Sequence, residues 1–421
     1  MCLLNQKGKG DQKKEGKKIM KKSIVEKLVD THPELEIWWD SSPLMFEDWV
    51  QKMLSSTDNS RKDILEAQLR RLYNADDPAS SIFRGCTTNP PLSYEVVKSD
   101  PVYWGEFVDD LVSSYPDYDY QEISWLTYKE IVKRGAEMYL PIHKASHSRF
   151  GWISGQLNPR LFTETDQMVK DAIELSSLSP NLMIKVPASM QGVEVVKQLT
   201  ALGISTNTTT CFTLPQIMAV ANAAMDGIQI ANKNGVKLDN WRAVITMMIG
   251  RLTERPVLDL QAKRRNIKLS WQDKHWFGIA VFRRAYKLLT EGGYASKLLA
   301  CSMRDGPVVA GKPRFWDVEK IAGGAIVYTC PPYVLGPLFD IGDDLELKAE
   351  IEDEVPQSVL EKMSQIPYCI QAYDPNGLEL EQFNDHPATV DTVEVFSKAF
   401  KGIEDFVQER ITSSKGQREL A

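Results

Sequence analysis

The chain has 421 residues and a mass of 47.6 kDa; 43% of the residues are hydrophobic and 25% charged. These values describe a globular protein with material for a large core, which excludes global disorder, and no apolar run approaches the ~18 residues of a transmembrane helix. Fifty Lys+Arg against 57 Asp+Glu give a net charge of -7, which argues against a nucleic-acid binder yet leaves room for a local phosphate site.

The length allows several small domains or one large barrel with additions. Residues 1–22 carry eight lysines against Asp11 and Glu15, a charge of +6 that leaves -13 for the remainder. With no apolar h-region, that segment reads as a disordered lysine-rich tail rather than a signal peptide. The six cysteines (Cys2, Cys86, Cys211, Cys301, Cys330 and Cys369) form no CxxC pair, so neither a disulfide scaffold nor a zinc ribbon is expected. His143 and His147 are spaced i, i+4 but lack the glutamate of HExxH, so no metal is expected. A cytoplasmic location is the simplest expectation.

From residue 23 onward, short β-like runs alternate with helical patterns. The runs are Leu35 to Asp40, Ile82 to Thr88, Phe150 to Gln156 and Leu182 to Val186, then Ile204 to Thr209, Ala243 to Ile249, Lys297 to Ser302 and Gly324 to Thr329. Between them, Val193, Val196, Leu199 and Leu202 share one helical face, and Phe277 to Leu289 repeats apolar residues at helical spacing. Eight strands alternating with helices predict a (β/α)8 TIM barrel, one domain over 23–421. A doubly wound sheet is the competing reading, but no GxGxxG follows a strand. Residues 44–81 read as a helical insertion with patterns at Phe46–Leu54 and Arg61–Tyr73. Residues 217–242 lengthen the link before the sixth run, YPDYDY at 115–120 reads as a solvated turn, and a C-terminal amphipathic helix is expected at 389–410.

In such barrels the chemistry sits at the C-terminal ends of the strands. Those ends carry Asp40, then Thr87-Thr88-Asn89, Gln156, Lys185, Asn207 with Thr209, Thr246 leading to Arg251, and Ser302 leading to Arg304. Lys185 interrupts the apolar run LMIKVP. On its own it is either a lysine snorkelling to solvent or a desolvated amine whose lowered pKa suits Schiff-base formation. Asp40 is either a turn former before Ser41-Ser42-Pro43 or a carboxylate placed to move a hydroxyl proton. Arg251, Ser302 and Arg304 read either as surface residues or as a phosphate grip, the use to which barrels often put their last loops.

A series of blocks in order resembles the transaldolase family over most of the chain. TTNPPL at 87–92 is similar to its TTNPSL, and IKVPA at 184–188 with Gln191-Gly192 to its Schiff-base strand. GISTNTT at 203–209 with Phe212, Thr213 and Gln216 is similar to its GIxxNxTxxFS segment, IGR at 249–251 to its VGR, and ACSMR at 300–304 to its ASFR-type segment. The resemblance implies a ping-pong transfer of a dihydroxyacetone unit from sedoheptulose 7-phosphate or fructose 6-phosphate to an aldose phosphate, a step of the pentose phosphate pathway. It implies that Lys185 forms the Schiff base, Asp40 is the acid/base, Asn89 and Asn207 hold substrate hydroxyls, and Thr209 positions a water. Thr246 stands where the family has a small hydroxyl residue. Arg251, Ser302 and Arg304 would bind phosphate. No cofactor is implied, because the iminium withdraws the electrons.

Three positions depart from the pattern. Gln156 stands where the family has a glutamate that moves protons through a water, and a carboxamide cannot act as that base. Asn158 replaces an aspartate, and Met248 stands where the aldolase branch, which also has glutamine, supplies a tyrosine. The alternatives are a class I aldolase, a transaldolase on a non-standard sugar phosphate, or a non-catalytic sugar-phosphate binder. The insertion reads equally as a lid or as the contact of a homo-oligomer.

Overall fold

The computed structural model describes residues 21–309 and 311–419. Eight parallel strands close into a barrel, each pairing with its neighbours in sequence and the last with the first. They are β1 (Glu36–Asp40), β2 (Phe83–Thr87), β3 (Trp152–Gln156), β4 (Leu182–Pro187), β5 (Thr206–Cys211), β6 (Ala243–Met248), β7 (Lys297–Cys301) and β8 (Val327–Cys330). Each matches one predicted run, with ends moved by no more than three residues. The expected (β/α)8 barrel is therefore the fold. The lysine-rich tail lies almost wholly outside the described residues; Lys22, at its end, pairs with Asp30 at 2.6 Å.

The strands are mostly buried on both faces, which is why β1, β4 and β6 read as apolar runs and not as alternating ones, while β5 is equally buried but rich in threonine. The 44–81 segment holds helices Phe46–Ser55 and Asn59–Leu72. It is also the β1–β2 crossover: Phe46 and Trp49 pack on Trp39 at 5.6 and 5.0 Å, and Leu65, Leu69 and Leu72 join the main core. Residues 217–242 belong mostly to one crossover helix, Leu214–Lys233. The largest addition before β4 lies elsewhere, in the β2–β3 link, where helices Pro90–Ser99, Pro101–Ser114 and Tyr120–Ala145 follow one another. Tyr115 to Asp119 is an exposed turn between the last two. The C-terminal helix runs over Pro387–Glu419.

The end of the barrel opposite the strand C-termini is plugged. Trp38 fills it from β1, with its indole N–H donating to Glu36 Oε2 at 3.0 Å. Glu36 Oε1 accepts from Arg242 at 2.6 Å and Lys297 at 2.7 Å, and the Arg242 guanidinium lies 5.5 Å from the Trp38 ring. The plug needs a glycine at position 85, since a Cβ there would meet the Trp38 ring at 2.5 Å and the Trp152 carbonyl oxygen at 2.9 Å. Gly85→Ala is accordingly expected to cost about 1–3 kcal/mol of stability through overpacking, read as a lower midpoint in chemical denaturation.

Candidate active site

The opposite end of the barrel is lined by hydroxyl, amide and charged side chains. Strand register puts them level with one another: Asp40 pairs with Thr87, Gln156 with Lys185, and Lys185 with Asn207. Lys185 is 2% exposed, and its ammonium donates to the Thr88 carbonyl at 3.0 Å. Burial holds its pKa below the ordinary lysine value, with the neighbouring Cys301, Asp40 and Cys86 offsetting part of that effect. Asp40 lies across the mouth. Its Oδ1 accepts from the Thr87 hydroxyl at 2.7 Å, which itself meets the Thr329 hydroxyl, and its Oδ2 accepts from the Cys301 thiol at 3.9 Å. Burial raises the Asp40 carboxyl above its ordinary value, against the opposing pull of Lys185 and Thr87. A buried amine biased toward neutrality thus faces a buried carboxylate biased toward protonation.

Asn207 is clamped at both ends of its amide. The amide NH2 donates to Ser154 Oγ at 2.8 Å, and the carbonyl accepts from Thr246 Oγ1 at 2.6 Å. Thr246 therefore orients Asn207 from the next strand. Beyond Asn207, β5 breaks register between Thr208 and Cys211, and Thr210 takes a φ of 51°. Bulges next to active sites re-aim side chains. Here the Thr209 hydroxyl comes within 3.9 Å of Met248 Sδ. Gln156 is buried, and its Oε1 has no hydrogen-bond partner among the described residues. Asn89 caps helix Pro90–Ser99, its Oδ1 accepting from Leu92 N–H at 3.0 Å, so its amide NH2 is what remains for a ligand. Asn158 receives the N–H and Nε of Arg160 instead of binding in the mouth.

The arginines divide. Arg304 is committed: its Nε and Nη2 form a bidentate pair with Glu254 at 2.7 and 2.8 Å, and Nη1 donates to the Ser302 carbonyl and hydroxyl at 2.9 and 3.1 Å. Ser302 is held at a φ of 58°. Arg251 makes no hydrogen bond or ion pair among the described residues; it is half-buried, with its guanidinium 5.6 Å from the Phe396 ring. Burial holds its pKa below the ordinary arginine value. An unpaired, partly desolvated guanidinium at the rim of a barrel is a ready anion site.

The C-terminal helix closes over this end. It touches the segments that follow β2, β3, β5 and β6: Gly402 meets Tyr94, Arg160 pairs with Glu404, Thr389 accepts from Gln216, and Phe396 meets Arg251. Sequence reasoning missed four contributors here. Thr87 belongs to the TTNPPL block, which gives no sign of its role toward Asp40. Thr329 is only the end of a run in the sequence, and Cys301 lies within the ACSMR block without a role of its own, although their places at the ends of β8 and β7 are a usable signal. Glu254 carried no motif at all.

The whole arrangement can now be compared with known proteins. The family model described as transaldolase/fructose-6-phosphate aldolase matches residues 66–405. The chain belongs to that family. Transaldolase from Thiobacillus denitrificans is 26% identical over 318 residues, covering 72% of this chain and 86% of the relative. Transaldolase 1 of Streptomyces avermitilis is 29% identical over 303 residues, covering 68% and 76%. Transaldolase from Trichodesmium erythraeum is 21% identical over 382 residues, covering 84% and 94%. The chain is therefore a transaldolase-type transferase, and carbohydrate metabolism follows from the family. Among the described residues no helix is long and apolar enough to cross a membrane.

Proposed function

We propose that this enzyme moves a dihydroxyacetone unit from a ketose phosphate, sedoheptulose 7-phosphate or fructose 6-phosphate, to an aldose phosphate through a Schiff base on Lys185. The juxtaposition of buried Lys185 and buried Asp40 carries the reading. The neutral amine adds to the ketose carbonyl, and water leaves to give an iminium. Asp40 takes the proton of the hydroxyl on the far carbon of the bond to be broken, the carbon that becomes the aldehyde. That bond's electron pair passes to the iminium, leaving an enamine on Lys185 and a free aldose phosphate. The acceptor aldose then reverses the sequence, with Asp40 returning the proton, and hydrolysis frees the lysine.

Asn207 and the free NH2 of Asn89 fit the hydroxyls of the three-carbon unit. Gln156 and Thr209 fit a water used in imine formation. Arg251 and Ser302 fit the phosphate, with Arg304 holding Ser302 in place. The five described cysteines are free thiols, in keeping with a reducing, cytoplasmic setting.

Arg251→Ala is expected to raise KM for the phosphorylated ketose about 10–100-fold, the value of one or two charge-assisted hydrogen bonds, while barely changing KM for unphosphorylated dihydroxyacetone as donor. Steady-state kinetics on both donors checks this. The reading itself is tested by borohydride reduction in the presence of each ketose phosphate, followed by peptide mass analysis. A mass addition at Lys185 is expected, and its absence across a ketose panel overturns the reading. One observation favours the aldolase branch: Gln156 is a carboxamide where a carboxylate is usual. Release of the three-carbon ketone without an acceptor aldose would assign the enzyme to that branch.

A further inference from the structure

The β2–β3 ladder ends at the pair Thr87 and Ser154. Beyond it β2 turns away into helix Pro90–Ser99, while β3 continues to Gln156. Ile153 and Leu157 donate toward β4, to the Asn181 and Lys185 carbonyls, so the backbone groups of Gln156 face the departed β2. They would be orphaned in a buried position, which proteins rarely tolerate. One side chain meets both. The Gln156 N–H donates to Tyr128 Oη at 2.7 Å, and the Tyr128 hydroxyl donates to the Gln156 carbonyl at 2.9 Å. Tyr128 is fully buried in the middle of helix Tyr120–Ala145. Burial raises its pKa, which keeps the hydroxyl protonated as the pair of bonds requires.

The Tyr128 ring has its own supports. It stacks on Trp125 at 5.3 Å and meets the edge of Phe400, on the C-terminal helix, at 5.9 Å. Phe400 in turn lies under the Arg160 guanidinium at 5.4 Å, and Arg160 pairs with Glu404 on that same helix. Gln156 ends in a buried Oε1 with no partner among the described residues. A neutral amide cannot draw a distant proton-bearing partner by charge, so its usefulness depends on aim more than a carboxylate's would.

We propose that Tyr128 is a positioning residue for Gln156, and that through Phe400 it makes the aim of the Gln156 amide depend on the seating of the C-terminal helix. This rests on the Schiff-base reading above, because the step it governs is imine formation at Lys185.

The test is a double-variant cycle on the full chain. Tyr128→Phe is expected to slow formation of the borohydride-trapped Lys185 adduct and kcat together by about 10–100-fold, with KM for the ketose phosphate changed less than about threefold. In a Gln156→Ala background the same substitution is expected to cost nothing further. Equal losses in both backgrounds, or no loss in either, would overturn the proposal, since a general packing role acts independently of Gln156. Should Tyr128→Phe fail to fold, Phe400→Leu replaces it, with the same slowed adduct formation and the same dependence on Gln156 expected. Failure of the unaltered enzyme to form any adduct is a separate result: it overturns the Schiff-base reading and this inference with it. Normal trapping in every variant overturns the positioning role alone.

Discussion

Replacing Asp40 with asparagine is expected to lower turnover about 10²–10⁴-fold while leaving Lys185 open to trapping by borohydride. The substitution keeps the side chain's size and its ability to accept from Thr87, so the barrel mouth should survive. What it removes is the only carboxylate whose charge acts on Lys185 among the described residues. Gln156 is an amide and Met248 a thioether, so neither can take over the hydroxyl proton. The pH profile adds a second reading. Burial raises the Asp40 carboxyl, so the acid limb of kcat/KM should fall above the ordinary carboxylate range and should vanish, with most of the rate, in Asp40→Asn. A variant retaining normal turnover would remove Asp40 from the chemistry. One that loses both turnover and trapping would place Asp40 in imine formation as well as in C–C cleavage.

The second large effect is expected at the closed end of the barrel. Glu36→Gln should cost about 3 kcal/mol, because it leaves Arg242 and Lys297, both mostly buried, without their shared counter-charge. For a chain this long that corresponds to a fall of about 4 °C in Tm. The pH dependence has a definite sign. Burial pushes the Glu36 carboxyl up, but Arg242 and Lys297 more than reverse this and hold it at about 2, against an ordinary 4.5. A depressed acid contributes its full stabilisation above 4.5 and loses it as pH falls from there toward 2. Denaturation midpoints of the unaltered and substituted proteins should therefore differ most at neutral pH and converge on acidification. A constant difference from pH 7 to pH 3 would show packing, not charge, to be the cause.

Most strands were legible because each crosses the core with its faces covered and so appears as a compact apolar run between helical patterns; β5, a buried run of threonines, was legible from its place in the alternation. Asp40, Lys185 and Arg251 were legible because each is a polar residue within or just past an apolar run, and Asn207 because it sits in a buried hydroxyl-rich one, where a barrel mouth gives such groups a use. The partners that hold them were not. Tyr128 stands 28 residues before Gln156 in a helix of 26, and nothing in helical periodicity separates it from any other buried aromatic. Glu254 follows Arg251 as the turn residue that ends a short helix, Ile249–Thr253, and its bidentate hold on Arg304 exists only once β6 and β7 lie side by side. Glu36 is one polar residue near the start of an apolar run, and its partners Arg242 and Lys297 stand more than 200 residues away, at the starts of β6 and β7. Local pattern finds the groups that break it, whereas their supports obey the pattern and become visible only through contacts remote in sequence.

The division of the mouth has a consequence for substrate choice. Asp40, Asn89, Gln156 and Lys185 come from the first four strands, and Arg251, Ser302 and Arg304 from the sixth and seventh. On the proposed chemistry, the carbonyl carbon is anchored to one half of the barrel and the phosphate to the other. The width between the halves then works as a ruler. It measures the number of carbons between the two ends of the sugar, and changing the length of the side chain at 251 recalibrates it without touching the reacting groups.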